Sequence, residues 1–256
     1  MAEVDLEEGW LTFGEKVFET AKSVFNSPKV VEGNPEARDP IVVATTLLAR
    51  TMSNFEGAIL MIDQSKIVEA RALTRCCYEN LFWIGALTKK GAAFVQAMED
   101  DEAANKKKRA QGLLDFAAVA ATPLEFETTL EKFLEELKAE YPKAATIKHY
   151  NSAADANLVH GYIIYRELSG DAAHPSASSL SRYIAWNEDG TQYNLLPIPP
   201  IRVNEVIETL EFACSAFLGV CVGANEIIKD KDADKELRAL FDEFAKLSEA
   251  SKKSKP

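Results

Sequence analysis

Two long apolar stripes at helical spacing, joined by a turn of two residues, constrain this chain more than any other feature. From Ile41 to Gln64 the stripe is Ala44, Leu47, Leu48, Thr51, Met52, Phe55, Ala58, Ile59 and Ile62. These positions recur at the three- and four-residue steps of a single helix face. At 1.5 Å per residue such a helix is about 36 Å long, which suits a bundle. Ser65 and Lys66 turn the chain, and Ile67 to Lys89 carries a second stripe of Ala72, Leu73, Cys76, Cys77, Trp83, Ile84 and Leu87. So short a link implies an antiparallel hairpin. A lone hairpin cannot bury both stripes fully, so further helices must pack on it.

The rest of the chain supplies them. Leu11, Phe13, Val17, Phe18, Ala21, Val24 and Phe25 mark an amphipathic helix over Gly9 to Asn26, and VVEGNPEARDP (Val30 to Pro40) breaks it. Gly91 to Ala121 reads as a third bundle helix and Pro123 to Glu140 as a fourth, with Pro123 suited to a first turn. A fifth runs from about Ala153 to Ser169 after possible caps at Asn151 and Ser152. It is apolar nearly all round, so a central place is expected for it. NEDG between RYIAW and TQYNLL signals a β-hairpin near Arg182 to Leu196. Val203 to Ile228 has near-heptad apolar spacing, and a tail helix follows with Leu237, Leu240, Phe241, Phe244 and Leu247 on one face. The expected fold is one all-α bundle of about six or seven helices with a small β-hairpin appendage. Its parts are an N-terminal amphipathic helix within 1–29, the main bundle over 41–228, and a C-terminal helix with a frayed tail over 234–256.

Composition narrows the function classes. With 256 residues and 47% hydrophobic content a continuous core is affordable. A net charge of -11 argues against a broad basic face, so duplex DNA is not an expected partner. The apolar run Phe212 to Ala224 falls short of the roughly 20 residues a bilayer requires, so no membrane span is expected. The start, MAEVDLEEGW, lacks the basic and apolar regions of a signal peptide, which implies a cytoplasmic protein. Cys76, Cys77, Cys214 and Cys221 sit inside helical patterns and read as buried, reduced thiols. Three histidines and no HExxH give no metal site, and no cofactor is expected. GxxxxGKS/T, GxGxxG and GxSxG are all lacking.

Two segments carry polar residues where the pattern is otherwise apolar. YRELSGDAAHPS (Tyr165 to Ser176) releases Arg166, Ser169, Asp171 and His174 at the end of an apolar helix. EARALTRCCYEN (Glu69 to Asn80) places Glu69 and Asn80 on the apolar stripe, where a polar group is costly unless paired. Glu69 either fans out at the helix start or is buried against an arginine such as Arg50 or Arg166. Arg75 can pair with Glu79 one turn on, leaving Arg71 open to another partner, and a solvated charge ladder gives the same spacing. His174 precedes Pro175, which turns it out of helical geometry. There it either moves protons or holds a bend through its backbone neighbours. His149 and His160 read as ordinary surface residues. NKKKR (Asn105 to Arg109) spreads around its helix as a solvated face, with an RNA or phosphate contact as the alternative.

The hairpin ARTMSNFEGAILMIDQSKIVEARALTRCCYENLFWI with the distant YRELSGDAAHPS resembles an uncharacterised bacterial helical family, domain of unknown function 5677, over roughly Ile41 to Ile228. That family's recurring elements are an arginine with a nearby Tyr-Glu pair, matched by Arg75, Tyr78 and Glu79. A serine with a later His-Pro-Ser is matched by Ser169, His174, Pro175 and Ser176. The resemblance implies that these residues share a polar site. Arg166, Glu167 and His174 are also similar to the motif of HEPN domains, which include toxin and antiphage ribonucleases and act as dimers. Seven residues separate Arg166 from His174 here, against four to six in that motif.

Two functions follow as expectations. One is a non-enzymatic binding or interaction module whose Arg, Glu and His cluster fixes the bundle or holds a partner. The other is a HEPN-like, metal-independent ribonuclease of a toxin or defence system, with His174 and Arg166 catalytic. In both, Glu69, Arg75, Tyr78, Glu79, Ser169 and Ser176 bind or orient, and a homodimer, RNA or a small anionic ligand is the possible partner.

Overall fold

The computed structural model describes residues 6–120, 126–172 and 175–254. In chain order the elements are α1 (Leu6–Phe25), α2 (Pro40–Asp63), α3 (Ile67–Lys90), α4 (Ala92–Ala120), α5 (Glu127–Glu140), α6 (His149–Asp155), α7 (Val159–Ala172), α8 (Ala177–Ser181), β1 (Ile184–Trp186), β2 (Tyr193–Leu195), α9 (Val203–Ile228) and α10 (Lys231–Ser254). The class is all-α with a two-stranded appendage, as the patterning implies. Ten α-helices stand among the described residues, more than the six or seven expected. The predicted fifth helix is in fact two, because Asn157 adopts a left-handed conformation (φ 59°) and separates α6 from α7. A further short helix, α8, exists because Ser176 and Ser179 form a reciprocal capping box around its first turn.

Local chemistry sets the main boundaries. Asp39 Oδ1 accepts the Ile41 N–H at 2.8 Å and Pro40 opens the first turn, so α2 starts where the linker ends. Ser65, at φ 59°, turns the chain into α3, and the two helices pack as the predicted hairpin. Gly91 takes φ 53° and ψ -131° at the end of α3, a combination that suits a residue without Cβ.

The centre of the bundle is α9, which packs against α1, α2, α3 and α10. Its approach to α3 is close: a Cβ built on Gly219 would lie 2.6 Å from Leu81 Cδ1, and one on Gly223 2.9 Å from Ile84 Cγ1. The central place expected for α7 belongs to α9 instead. α7 packs chiefly on α3 and leaves Ile163 in solvent, because its aromatic side faces α3 and α6. Among the described helices, α9 alone has the length and apolarity to cross a membrane, and most of it is buried in the bundle.

One core joins the ends of the described chain and takes in Trp10 and Phe13 of α1, Phe55 of α2, Phe82 of α3, Leu168 of α7, Phe217 of α9 and Leu237 of α10. Asn80 sits within it as the stripe predicts, and its Nδ2 donates to Thr51 Oγ1 at 3.0 Å. The four cysteines are free; Cys77, Cys214 and Cys221 are buried, and Cys76 is half-buried. Residues of the NKKKR run spread around α4. Lys106 and Arg109 reach Glu102 at 3.4 and 3.6 Å, while Lys107 Nζ donates to the Tyr141 carbonyl.

Candidate functional site

α3 carries Arg71, Arg75 and Glu79 at four-residue steps, so all three project along the same side. Against that side lie α6, α7 and α9. The Arg71 guanidinium is almost sealed, at 2% exposure, and bridges two helices. Its Nη2 is 2.9 Å from Glu167 Oε1 on α7, and its Nη1 is 3.3 Å from Glu208 Oε2 on α9.

One turn on, Arg75 makes a second node. Its Nη2 donates to Glu79 Oε1 at 2.6 Å and its Nε donates to Ser169 Oγ at 3.1 Å. Ser169 in turn donates to the Tyr165 carbonyl at 2.7 Å. The guanidinium carbon stands 5.4 Å from the centre of the Tyr165 ring, a cation–π contact. Burial pulls the Arg75 pKa down, and hydrogen bonding to Tyr165 with the charge of Glu79 outweighs it, so the pKa lies above its ordinary value.

Glu79 Oε1 is shared. Besides Arg75 it takes the Tyr165 hydroxyl at 3.3 Å and faces His149 Nε2 at 3.6 Å. His149 lies 5.4 Å from Tyr165 by ring centres, and Tyr165 stacks on Tyr162, which meets Tyr150 edge-on. The aromatic rings thus wall one side of the charged pair. Among the described residues no group of three His, Cys, Asp or Glu is placed to hold a metal ion.

The sequence-predicted residues divide. Arg75, Glu79 and Ser169 come together. Tyr78 is beside them in sequence but points into the core against Phe82, with a hydroxyl that is sealed near Ser215 without good hydrogen-bond geometry. Ser176 is a cap: its Oγ accepts the Ser179 N–H and reaches the Gly170 carbonyl at 3.0 Å, tying α8 to α7. His174 lies outside the described residues. Arg166 is exposed and has no hydrogen bond or ion pair with another described residue, because the side of α7 that meets α3 is made by Tyr165, Leu168 and Ser169. Of the two places open to Glu69, the structure takes the exposed one and not burial against an arginine. It stands exposed in the first turn of α3, where a carboxylate is favoured by the helix dipole without any arginine. The buried ion on this helix is Arg71, two residues further along.

His149, expected on the surface, is half-buried at the start of α6 and joins the cluster. Its signal was absent from the local pattern, which read as loop. Glu167 and Glu208 were also missed as partners. Arg71, left open to another partner by its spacing, was the available clue that carboxylates must come from elsewhere.

A model of a family of unknown function (DUF5677) matches residues 41–192, from the start of α2 to the turn of the β-hairpin. The match includes α3, α6 and α7, and α9 lies beyond it. No curated protein and no solved structure matches the chain.

Proposed function

Because the chain belongs to DUF5677, a family of unknown function that brings no activity with it, we propose from the site itself that the protein is a non-enzymatic helical interaction module of the cytoplasm. The observation that carries this reading is that both arginines of α3 are already engaged. Arg71 is held between two carboxylates, and Arg75 by a carboxylate, a hydroxyl and an aromatic ring. A phosphate or carboxylate ligand would have to displace Glu167 or Glu79, exchanging one charge-assisted hydrogen bond for another at small net gain. The cluster therefore serves to hold α6, α7 and α9 in register on α3, a role for which buried ion pairs are suited. The surface built on those helices is then rigid enough to recognise a partner without reorganising. Buried, unpaired thiols at Cys77, Cys214 and Cys221 suit a reducing compartment.

The test pairs RNA cleavage in EDTA with thermal melting for wild type, Arg75→Ala, Arg166→Ala and His174→Ala. An interaction module cuts no RNA, and Arg75→Ala melts earlier because Glu79 and Ser169 lose their partner. Cleavage by wild type that vanishes in His174→Ala or Arg166→Ala, at unchanged melting temperature, would replace this reading with the HEPN-like ribonuclease.

A further inference from the structure

The β-hairpin has a face that the described residues leave largely exposed. Its antiparallel register sets Ile184 opposite Leu195 and Trp186 opposite Tyr193, with Ala185 opposite Asn194. Side chains alternate along a strand, so Ile184, Trp186, Tyr193 and Leu195 share one face, and that face is wholly apolar. Trp186, Tyr193 and Leu195 are 59%, 58% and 72% exposed. The Trp186 and Tyr193 rings pack on each other at 5.3 Å, and the strands pack chiefly on each other.

A two-stranded hairpin of three-residue strands is marginal in water and ordinarily needs a further strand or a packed layer. The exposed area fits such a layer. With aromatic side chains of about 150–250 Å² each, the three residues present on the order of 400 Å². A standard interface buries about 800 Å² per partner, a little over half of it apolar.

Charge selects the occupant. The chain carries -11 overall, so two copies repel over most of their surface. From Leu180 to Val203 the charged residues are Arg182, Arg202, Glu188 and Asp189, which sum to zero. Two copies can meet here without that penalty, and nothing on the face selects a charged partner. We propose that this face is a homodimer interface, in which the Trp186–Tyr193 pair of one chain packs on the same pair of a second copy about a two-fold axis. The interface is isologous, since one patch meets itself. It is independent of whether the Arg75 cluster is catalytic.

The experiment is sedimentation equilibrium of the full chain over micromolar concentrations, with melting followed by circular dichroism. Wild type should sediment as a dimer. Trp186→Glu with Leu195→Glu should raise the dissociation constant at least about a hundredfold, as removal of an aromatic anchor does. Tyr193→Ala, a milder change, should weaken the dimer in the same direction if the double variant fails to fold. Phe116→Glu on α4, an exposed apolar site far from the hairpin in sequence, should leave the dimer intact. A monomeric wild type, or a dimer that survives the folded hairpin variants, overturns the proposal.

Discussion

Trp10 Nε1 donates to Ser251 Oγ at 3.0 Å, so the first described helix and the last are joined inside the core across 241 residues. The indole is completely buried and its ring meets Phe13 and Phe244 edge-on or tilted at 5.8 and 5.3 Å. Ser251→Ala leaves a sealed N–H and should cost about 1–3 kcal/mol in denaturant unfolding. Trp10→Phe removes the donor along with part of the ring, and the resulting cavity should make it the worse of the two. A Ser251→Ala variant as stable as wild type would show that this pairing holds nothing.

Arg71 and Glu69 make opposite predictions although they are two residues apart. Glu167 is half-exposed and Glu208 less so, but Arg71 is sealed between them. Replacing both acids, as Glu167→Gln with Glu208→Gln, removes two charged partners from a buried guanidinium and should cost on the order of 3 kcal/mol. Either single change should cost clearly less. Glu69→Ala, in solvent, should fall within about 0.5 kcal/mol of wild type. Urea midpoints for wild type and these four variants, at a common slope, provide the measurement.

Burial pushes the thiols of Cys77, Cys214 and Cys221 well above the ordinary value of 9.0, and that of Cys76 upward to a smaller degree. A native-state thiol assay at pH 8 should therefore find Cys76 reactive at most, with all four reacting after denaturation. The same shifts fix the alkaline limb of stability. The folded pKa lies above the unfolded one, so the contribution is complete below pH 9 and is lost as pH rises beyond it. Melting temperature should fall from about pH 9 upward, and Cys77→Ala should flatten that slope even as it lowers the starting value.

Asp230 governs the corner between α9 and α10. Its Oδ1 accepts the N–H groups of Asp232 and Ala233, Ser27 Oγ donates to its Oδ2 at 2.6 Å, and Asn225 bonds its backbone from both sides. Ser27 first, then these backbone donors, hold its carboxyl below the ordinary value of 3.8. The folded pKa is the lower one, so this contribution is present above pH 3.8 and lost as pH falls through the folded value. Asp230→Ala should cost about 1 kcal/mol at neutral pH as a lost cap. The difference from wild type should shrink on acidification, and equal slopes for both proteins below pH 4 would rule this account out.

The helices were legible because their cause is local. Leu47, Leu48, Phe55 and Ile62 repeat at the helical step, and that periodicity alone specifies an apolar face, a length and, with Ser65 and Lys66, a reversal. The β-hairpin was legible for the same reason, since NEDG and the short apolar strands are neighbours in the chain. Arg75 with Glu79 is a one-turn pair and could likewise be read from spacing.

Partner choice between helices was decided only in three dimensions. Periodicity says that α7 has an apolar surface but not which arc of it meets α3, and the arc that does so carries Tyr165 and Ser169 and leaves Arg166 in water. Nothing around His149 announces that α6 will carry it to Glu79, 70 residues away in the chain. The difference between Glu69 and Arg71 is also tertiary. Both interrupt an apolar helix, but Glu69 occupies the first turn, where solvent and the helix dipole satisfy it, while Arg71 lies where α7 and α9 close over it and supply the carboxylates. Sequence determined the helices and their apolar faces because those depend on neighbours a few residues apart. The tertiary structure alone decided which polar groups were desolvated, and therefore which had to be paired.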